Sequence, residues 1–139
     1  MSRIAKLLYT AKTHTAGGRE NGRARSADGL LDIKLAEPGS TRIGTNPEQL
    51  LAAGWSACFE SAIARAAQNR HLPLPRDISI DAEADLLLGD DGHFLRVRLK
   101  VGLGGVAPEV AQMLIQEAHA ICPYSRAMRG NIDVAVSLV

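Results

Sequence analysis

From Ile78 to Val101 apolar and polar residues alternate. Ile78, Ile80, Ala82, Ala84, Leu86 and Leu88 interleave with Ser79, Asp81, Glu83 and Asp85; after Gly89-Asp90-Asp91-Gly92, Leu95, Val97, Leu99 and Val101 interleave with Arg96, Arg98 and Lys100. Successive strand side chains point to opposite faces, so this period predicts two half-buried strands joined as a hairpin. A turn centred on Asp90-Asp91 sets Asp85 opposite Arg96, Glu83 opposite Arg98 and Asp81 opposite Lys100. The outer face is then a ladder of opposite charges, which reads as a solvated sheet face rather than a binding site.

A different period precedes the hairpin. Leu51, Trp55, Cys58, Ala62 and Arg65 recur at steps of three and four and so lie along one face of a helix. Asn46 is placed to cap it, Pro47 suits the first helical position, and Gln49 stands where a capping-box partner reaches back. The pattern runs to about Asn69, and Pro73 and Pro75 prevent its continuation. A second helix opens with Pro108 and Glu109, carries Val110, Met113, Leu114 and Glu117 to Ala118, and ends near Ile121 with Cys122 at its close. Pro123 opens a further short helix, Gly130 stops it, and Ile132, Val134, Val136 and Leu138 alternate in a closing strand.

In the first third, apolar runs such as Ile4 to Tyr9 and Leu30 to Leu35 stand among turn signals at Gly17-Gly18, Asn21-Gly22 and Asp28-Gly29, predicting short antiparallel strands. Glu37 to Thr45, with Pro38, Gly39, Ser40 and Gly44, reads as the loop into the long helix. The expected architecture is α+β, with antiparallel sheets and two main helices. A chain of 139 residues is the size of one domain, so residues 1–139 are expected to form a single domain. The first helix is rich in Ala and Gly, small residues that suit close backbone packing in a dimer.

Composition narrows the partners. Sixteen basic against fifteen acidic residues leave a formal net charge of +1, which offers no broad footprint for nucleic acid or an anionic membrane. No stretch approaches the roughly 20 apolar residues of a membrane span, and the start lacks the apolar core of a signal peptide, so a cytoplasmic protein is expected. Two cysteines are too few for a disulfide scaffold. His119 and Cys122 have a spacing of three, but the scattered histidines complete no zinc set, and no metal is expected.

The cysteines are the candidate chemistry. A cysteine attacks as thiolate, and Cys58 lies several turns from its helix N-terminus, beyond the strong reach of the dipole, so a cation must come from elsewhere. Arg19, in a Gly17-Gly18-Arg19 turn, is the best candidate, and Glu48, in the first turn of the Cys58 helix, is a plausible carboxylate to hold it. Each assignment has a plain competitor. A cysteine on an apolar face is more often an inert buried thiol than a nucleophile, an arginine in a Gly-rich turn is usually solvated, and a first-turn glutamate usually complements the dipole. Spacing alone leaves these alternatives open.

Three segments change the balance: Gly17-Gly18-Arg19-Glu20-Asn21-Gly22-Arg23, GTNPEQLLAAGWSACF from Gly44 to Phe59, and AHAICPYSRAMRGNIDV from Ala118 to Val134. Together they resemble the organic hydroperoxide resistance (Ohr) branch of the Ohr/OsmC family, nearly end to end. The resemblance implies a cysteine-based peroxidase that reduces organic hydroperoxides to alcohols. In it Cys58 corresponds to the peroxidatic cysteine, Cys122 to the resolving one, Arg19 to the arginine that activates the thiolate and Glu48 to the carboxylate that orients Arg19. It also implies an intertwined homodimer with active sites at the subunit interface. Its reductant would be external, dihydrolipoamide or a lipoylated protein, with no bound cofactor.

An apolar pocket for the organic group is expected near Leu51, Trp55, Phe59 and Met128. Here the sequence departs from the family pattern: Leu51 and Trp55 stand where Phe and Tyr are common, Arg126 and Met128 where small polar residues are common, and the loop before Gly44 is shortened. Two competing readings remain, an OsmC-like peroxidase with broader substrates and a non-enzymatic thiol redox sensor.

Overall fold

The computed structural model describes residues 4–139. The chain divides into two compact units, Met1–Pro47 and Glu48–Val139.

In the first unit, β1 (Thr13–Ala16), β2 (Arg23–Ser26) and β3 (Asp32–Lys34) form an antiparallel sheet in the order β1-β2-β3. Between β1 and β2 the chain makes a single helical turn, α1 (Gly18–Asn21). Gly17 and Gly18 take positive φ values of 92° and 77°, and a Cβ on Gly22 would collide with the Gly18 carbonyl. Only glycine tolerates such closure at all three positions. This tight turn carries Arg19. At the far side of the sheet, Asp28 accepts hydrogen bonds from Ser26 Oγ (2.6 Å) and the Leu30 N–H (3.0 Å), which close the β2–β3 turn and hold its carboxyl below the usual range. The apolar run Ile4 to Tyr9 departs from expectation. It forms no strand, and Ile4, Leu7, Leu8 and Tyr9 are exposed, so no burial offsets the entropy of ordering them.

The second unit contains α2 from its second residue onward (Pro47–Asn69), the hairpin β4 (Asp77–Gly89) and β5 (Gly92–Gly104), α3 (Pro108–Ile121), α4 (Pro123–Met128) and β6 (Asp133–Leu138). The hairpin register is the one read from the sequence, with Asp81, Glu83 and Asp85 opposite Lys100, Arg98 and Arg96. The contacts run diagonally as well as across. Arg98 grips Asp85 with two guanidinium nitrogens (2.7 and 2.9 Å) and Glu83 with Nε (2.8 Å), and Lys100 approaches Glu83 at 3.6 Å. Long side chains reach diagonal neighbours on a strand pair. Arg96 also bonds Asp85 (2.9 Å), so two guanidinium groups hold that carboxyl down to about 2.

This sets a pH prediction. A carboxylate depressed in the folded state stabilises above its unfolded pKa and loses that contribution as pH falls through its folded value. Asp85 should therefore titrate near 2 by NMR, and Arg98→Met should move its midpoint back toward the ordinary value of 3.8. An unchanged midpoint would mean that the Arg98 contacts are not kept in solution.

The closing strand departs from the antiparallel expectation: β6 lies parallel to β5, with Val97 beside Val134 and Leu99 beside Val136, giving the order β4-β5-β6. A parallel neighbour needs a long crossover, and α3 with α4 supplies it. β5 is thus central, and Val97, Leu99 and Val101 are fully buried. They pack in one cluster with Trp55, Phe59, Ile63 and Ala66 of α2, with Leu114 and Ala118 of α3, and with Cys122. Burying each large apolar side chain of this kind contributes roughly 1.5–3 kcal/mol relative to exposure. On α3 the buried residues are Ala111, Leu114, Ile115 and Ala118, whereas Met113 is exposed.

Candidate active site

The phase of α2 decides where Cys58 sits. The inner face is centred on Trp55, Phe59, Ala62, Ile63 and Ala66, Cys58 is half-buried at its margin, and Arg65 is exposed. The row Leu51, Trp55, Cys58, Ala62, Arg65 advances by 3.5 residues per turn, and a straight helix drifts ~20° per heptad against such a row. It therefore leaves the core before it ends, between buried Ala62 and exposed Arg65.

Cys122 is positioned by Pro123. A residue before proline is pushed out of the helical region, and Cys122 is extended, with φ −61° and ψ 125°. It closes α3 by donating its N–H to Ala118 O (2.8 Å) and opens α4 by accepting from the Arg126 N–H (2.9 Å). Its thiol is fully buried, and both cysteines are free. The Cys122 thiol and the Tyr124 backbone N–H lie beside the Cys58 sulfur and act on its charge. Burial pushes the Cys58 thiol up from its ordinary value, the Cys122 thiol adds to that, and the Tyr124 N–H pulls against both.

A cavity of about 440 Å³ opens beside Cys58, walled by Ser61, Ala62, Arg65, Asn69, Ile121 and Pro123. The α2 members follow Cys58 at three, four, seven and eleven residues, a helical stripe of which the sequence pattern marks Ala62 and Arg65 but not Ser61 and Asn69. Leu51, Trp55, Phe59 and Met128 are not among these walls. Trp55 and Phe59 are fully buried in the core, and Leu51 and Met128 are half-buried against it. The Trp55 indole N–H donates to Ser125 Oγ (3.1 Å), a contact that spacing could not reveal.

Arg19 is in α1 of the first unit, and Glu48 is in the first turn of α2. His119, one turn before Cys122, has its ring 6.4 Å from that of Phe59, and its Nδ1 is buried without a hydrogen-bond partner among the described residues. Burial, with Arg129 nearby, pushes it below its ordinary pKa. Among the described residues no group of three or more His, Cys, Asp or Glu gathers to hold a metal, and no helix is long and apolar enough to cross a membrane.

The family described as OsmC-like protein matches residues 38–137. The organic hydroperoxide resistance protein of Xanthomonas axonopodis pv. citri (strain 306) is 44% identical, with 99% of each chain covered. The organic hydroperoxide resistance protein OhrA of Bacillus subtilis (strain 168) is 38% identical, with 97% of this chain and 99% of its own covered. Among solved structures, OhrB of Bacillus subtilis superposes with a TM-score of 0.89 at 38% identity, over 96% of this chain and 100% of that one. An organic hydroperoxide resistance protein from Legionella pneumophila does so with a TM-score of 0.89 at 42% identity, over 96% and 98%.

Proposed function

Because the chain belongs to the OsmC-like family, with organic hydroperoxide resistance proteins as full-length relatives, we propose that it is a thiol peroxidase that reduces organic hydroperoxides to alcohols. The observation that supports this most directly is the adjacent pair of free thiols, Cys58 at a cavity wall and Cys122 behind it.

In this reading the Cys58 thiolate attacks the outer oxygen of ROOH. The O–O bond breaks, an S–O bond forms, and the alkoxide leaves and takes a proton, so that Cys58 becomes a sulfenic acid. Arg19 supplies the cation that stabilises the thiolate and the developing alkoxide, and Glu48 orients Arg19. Cys122 then attacks the Cys58 sulfur, water leaves, and a disulfide forms. A dihydrolipoyl dithiol, free or on a lipoylated protein, reopens it by exchange and is itself oxidised to the cyclic disulfide. Binding of the organic group falls to Ala62, Ile121 and Pro123, with Leu51 and Met128 at the margin of the core. The proposed working form is a cytoplasmic homodimer; exposed Leu86, Leu88 and Phe94 at the end of the hairpin support self-association.

The test is steady-state reduction of tert-butyl hydroperoxide with dihydrolipoamide as reductant. Turnover is expected with dihydrolipoamide and little with thioredoxin; no reduction of any organic hydroperoxide would sink the reading. Replacing Cys122 by serine separates the two half-reactions. One fast equivalent of peroxide should be consumed, followed by sulfinic acid at Cys58, seen as a mass increase of two oxygens. Sustained turnover by that variant would remove Cys122 from the cycle.

A further inference from the structure

The start of α4 is fastened to α2 by three contacts in register with the two cysteines. Tyr124 lies over Gly54, where a Cβ would stand 2.8 Å from the phenol oxygen. Its ring stacks on that of Trp55, with centroids 6.4 Å apart and 29° between planes. The next residue, Ser125, is fully buried and accepts the Trp55 indole N–H at 3.1 Å. One turn further along α2 is Cys58, with the Tyr124 N–H and the Cys122 thiol beside its sulfur.

A glycine inside a helix costs stability relative to alanine, and α2 carries one where Tyr124 needs the space. A buried indole N–H requires a partner, and Ser125 is the one it has. Both features bear on the same junction. We propose that the Gly54–Tyr124 and Trp55–Ser125 contacts form a latch that holds the Tyr124 amide and the Cys122 thiol on Cys58, making Gly54, Trp55 and Ser125 positioning residues for thiolate formation and disulfide closure. The latch deepens the peroxidase reading and rests on it only for the identity of the oxidant.

Closure can therefore be driven without peroxide. Diamide, a two-electron azo oxidant, takes the Cys58 thiolate at its N=N bond. Cys122 then attacks the Cys58 sulfur and expels the hydrazine, which carries away both thiol protons as the disulfide forms. Ser125→Ala strands the Trp55 N–H and frees α4. Closure under diamide should slow about tenfold, in line with the rate lost on small misplacements of reacting groups. The pH midpoint for alkylation of Cys58 by iodoacetamide should move, because the Tyr124 amide and the Cys122 thiol that act on it in opposite senses are both displaced.

Gly54→Ala provides a second arm, since it removes the space for Tyr124 while improving helix propensity. The melting temperature should hold or rise while closure slows and the alkylation midpoint moves, a combination that a purely structural role does not produce. Wild-type closure and an unmoved midpoint in both variants would overturn the latch; a response to Ser125→Ala alone would overturn the part assigned to Gly54. A wild-type chain that closes under diamide yet reduces no organic hydroperoxide would refute the peroxidase reading and leave the latch standing.

Discussion

Replacing Cys58 by serine is expected to abolish organic hydroperoxide reduction, with kcat/KM for tert-butyl hydroperoxide falling about a thousandfold or more. The size follows from the chemistry. A thiolate is accessible near neutral pH and is a strong nucleophile toward peroxide oxygen, whereas a serine hydroxyl without a base stays protonated and has no comparable sulfenic state. The exchange is nearly isosteric at a half-buried helix margin, so the fold should be kept. Circular dichroism and melting temperature should match the wild type. Thiol counting under peroxide gives an independent reading: the wild type should lose both thiols, and Cys58→Ser should keep Cys122. Equal rates in the two proteins would eliminate Cys58 as the nucleophile.

What the sequence revealed and what it concealed follow a physical division. The hairpin register was legible because alternation fixes the faces and a two-residue turn fixes the pairing; Gly89 pairs with Gly92 as that turn requires. The bounds of α2 and α3 were legible because prolines open both and loops rich in proline or glycine frame them. The direction of β6 was not, since alternation gives a strand's faces without saying which way it runs. That depends on how α3 packs its buried face, and Ala111, Leu114, Ile115 and Ala118 decide it only in three dimensions.

The site divides in the same way. Cys58 and Cys122 are far apart in the chain, and no periodicity joins them; the words around them did so through family resemblance. The helix that carries Cys58 is rich in Ala and Gly, so its apolar pattern is too even to set the phase, and Trp55 and Phe59 read equally as pocket or core. In the fold both are core. Their place beside the thiol is taken by Ser61, Ala62, Arg65 and Asn69, polar or small residues that an argument seeking apolar pocket walls passes over.

Arg19→Ala should lower kcat/KM for the same peroxide about a hundredfold near pH 7, and the loss should shrink as pH rises. Burial and the Cys122 thiol both push the Cys58 pKa upward, and the Tyr124 N–H opposes them without reversing the direction. Each unit of elevation removes about tenfold of the thiolate at a pH below the pKa. A cation at Arg19 would offset this by favouring the charged sulfur. Without it the reactive fraction is recovered only by raising the pH, so the variant's pH–rate curve should be displaced to the alkaline side. Stabilisation of the leaving alkoxide is a separate contribution that pH does not restore, and a residual deficit of about tenfold should persist on the alkaline plateau. Arg19→Lys keeps the charge but not the planar fork, and should fall between the two. Glu48→Gln, which in the proposed arrangement would leave the cation and weaken its hold, should shift the curve in the same direction by less. A uniform loss at every pH would assign Arg19 to peroxide binding or alkoxide stabilisation alone and would leave the Cys58 thiolate dependent on the Tyr124 amide.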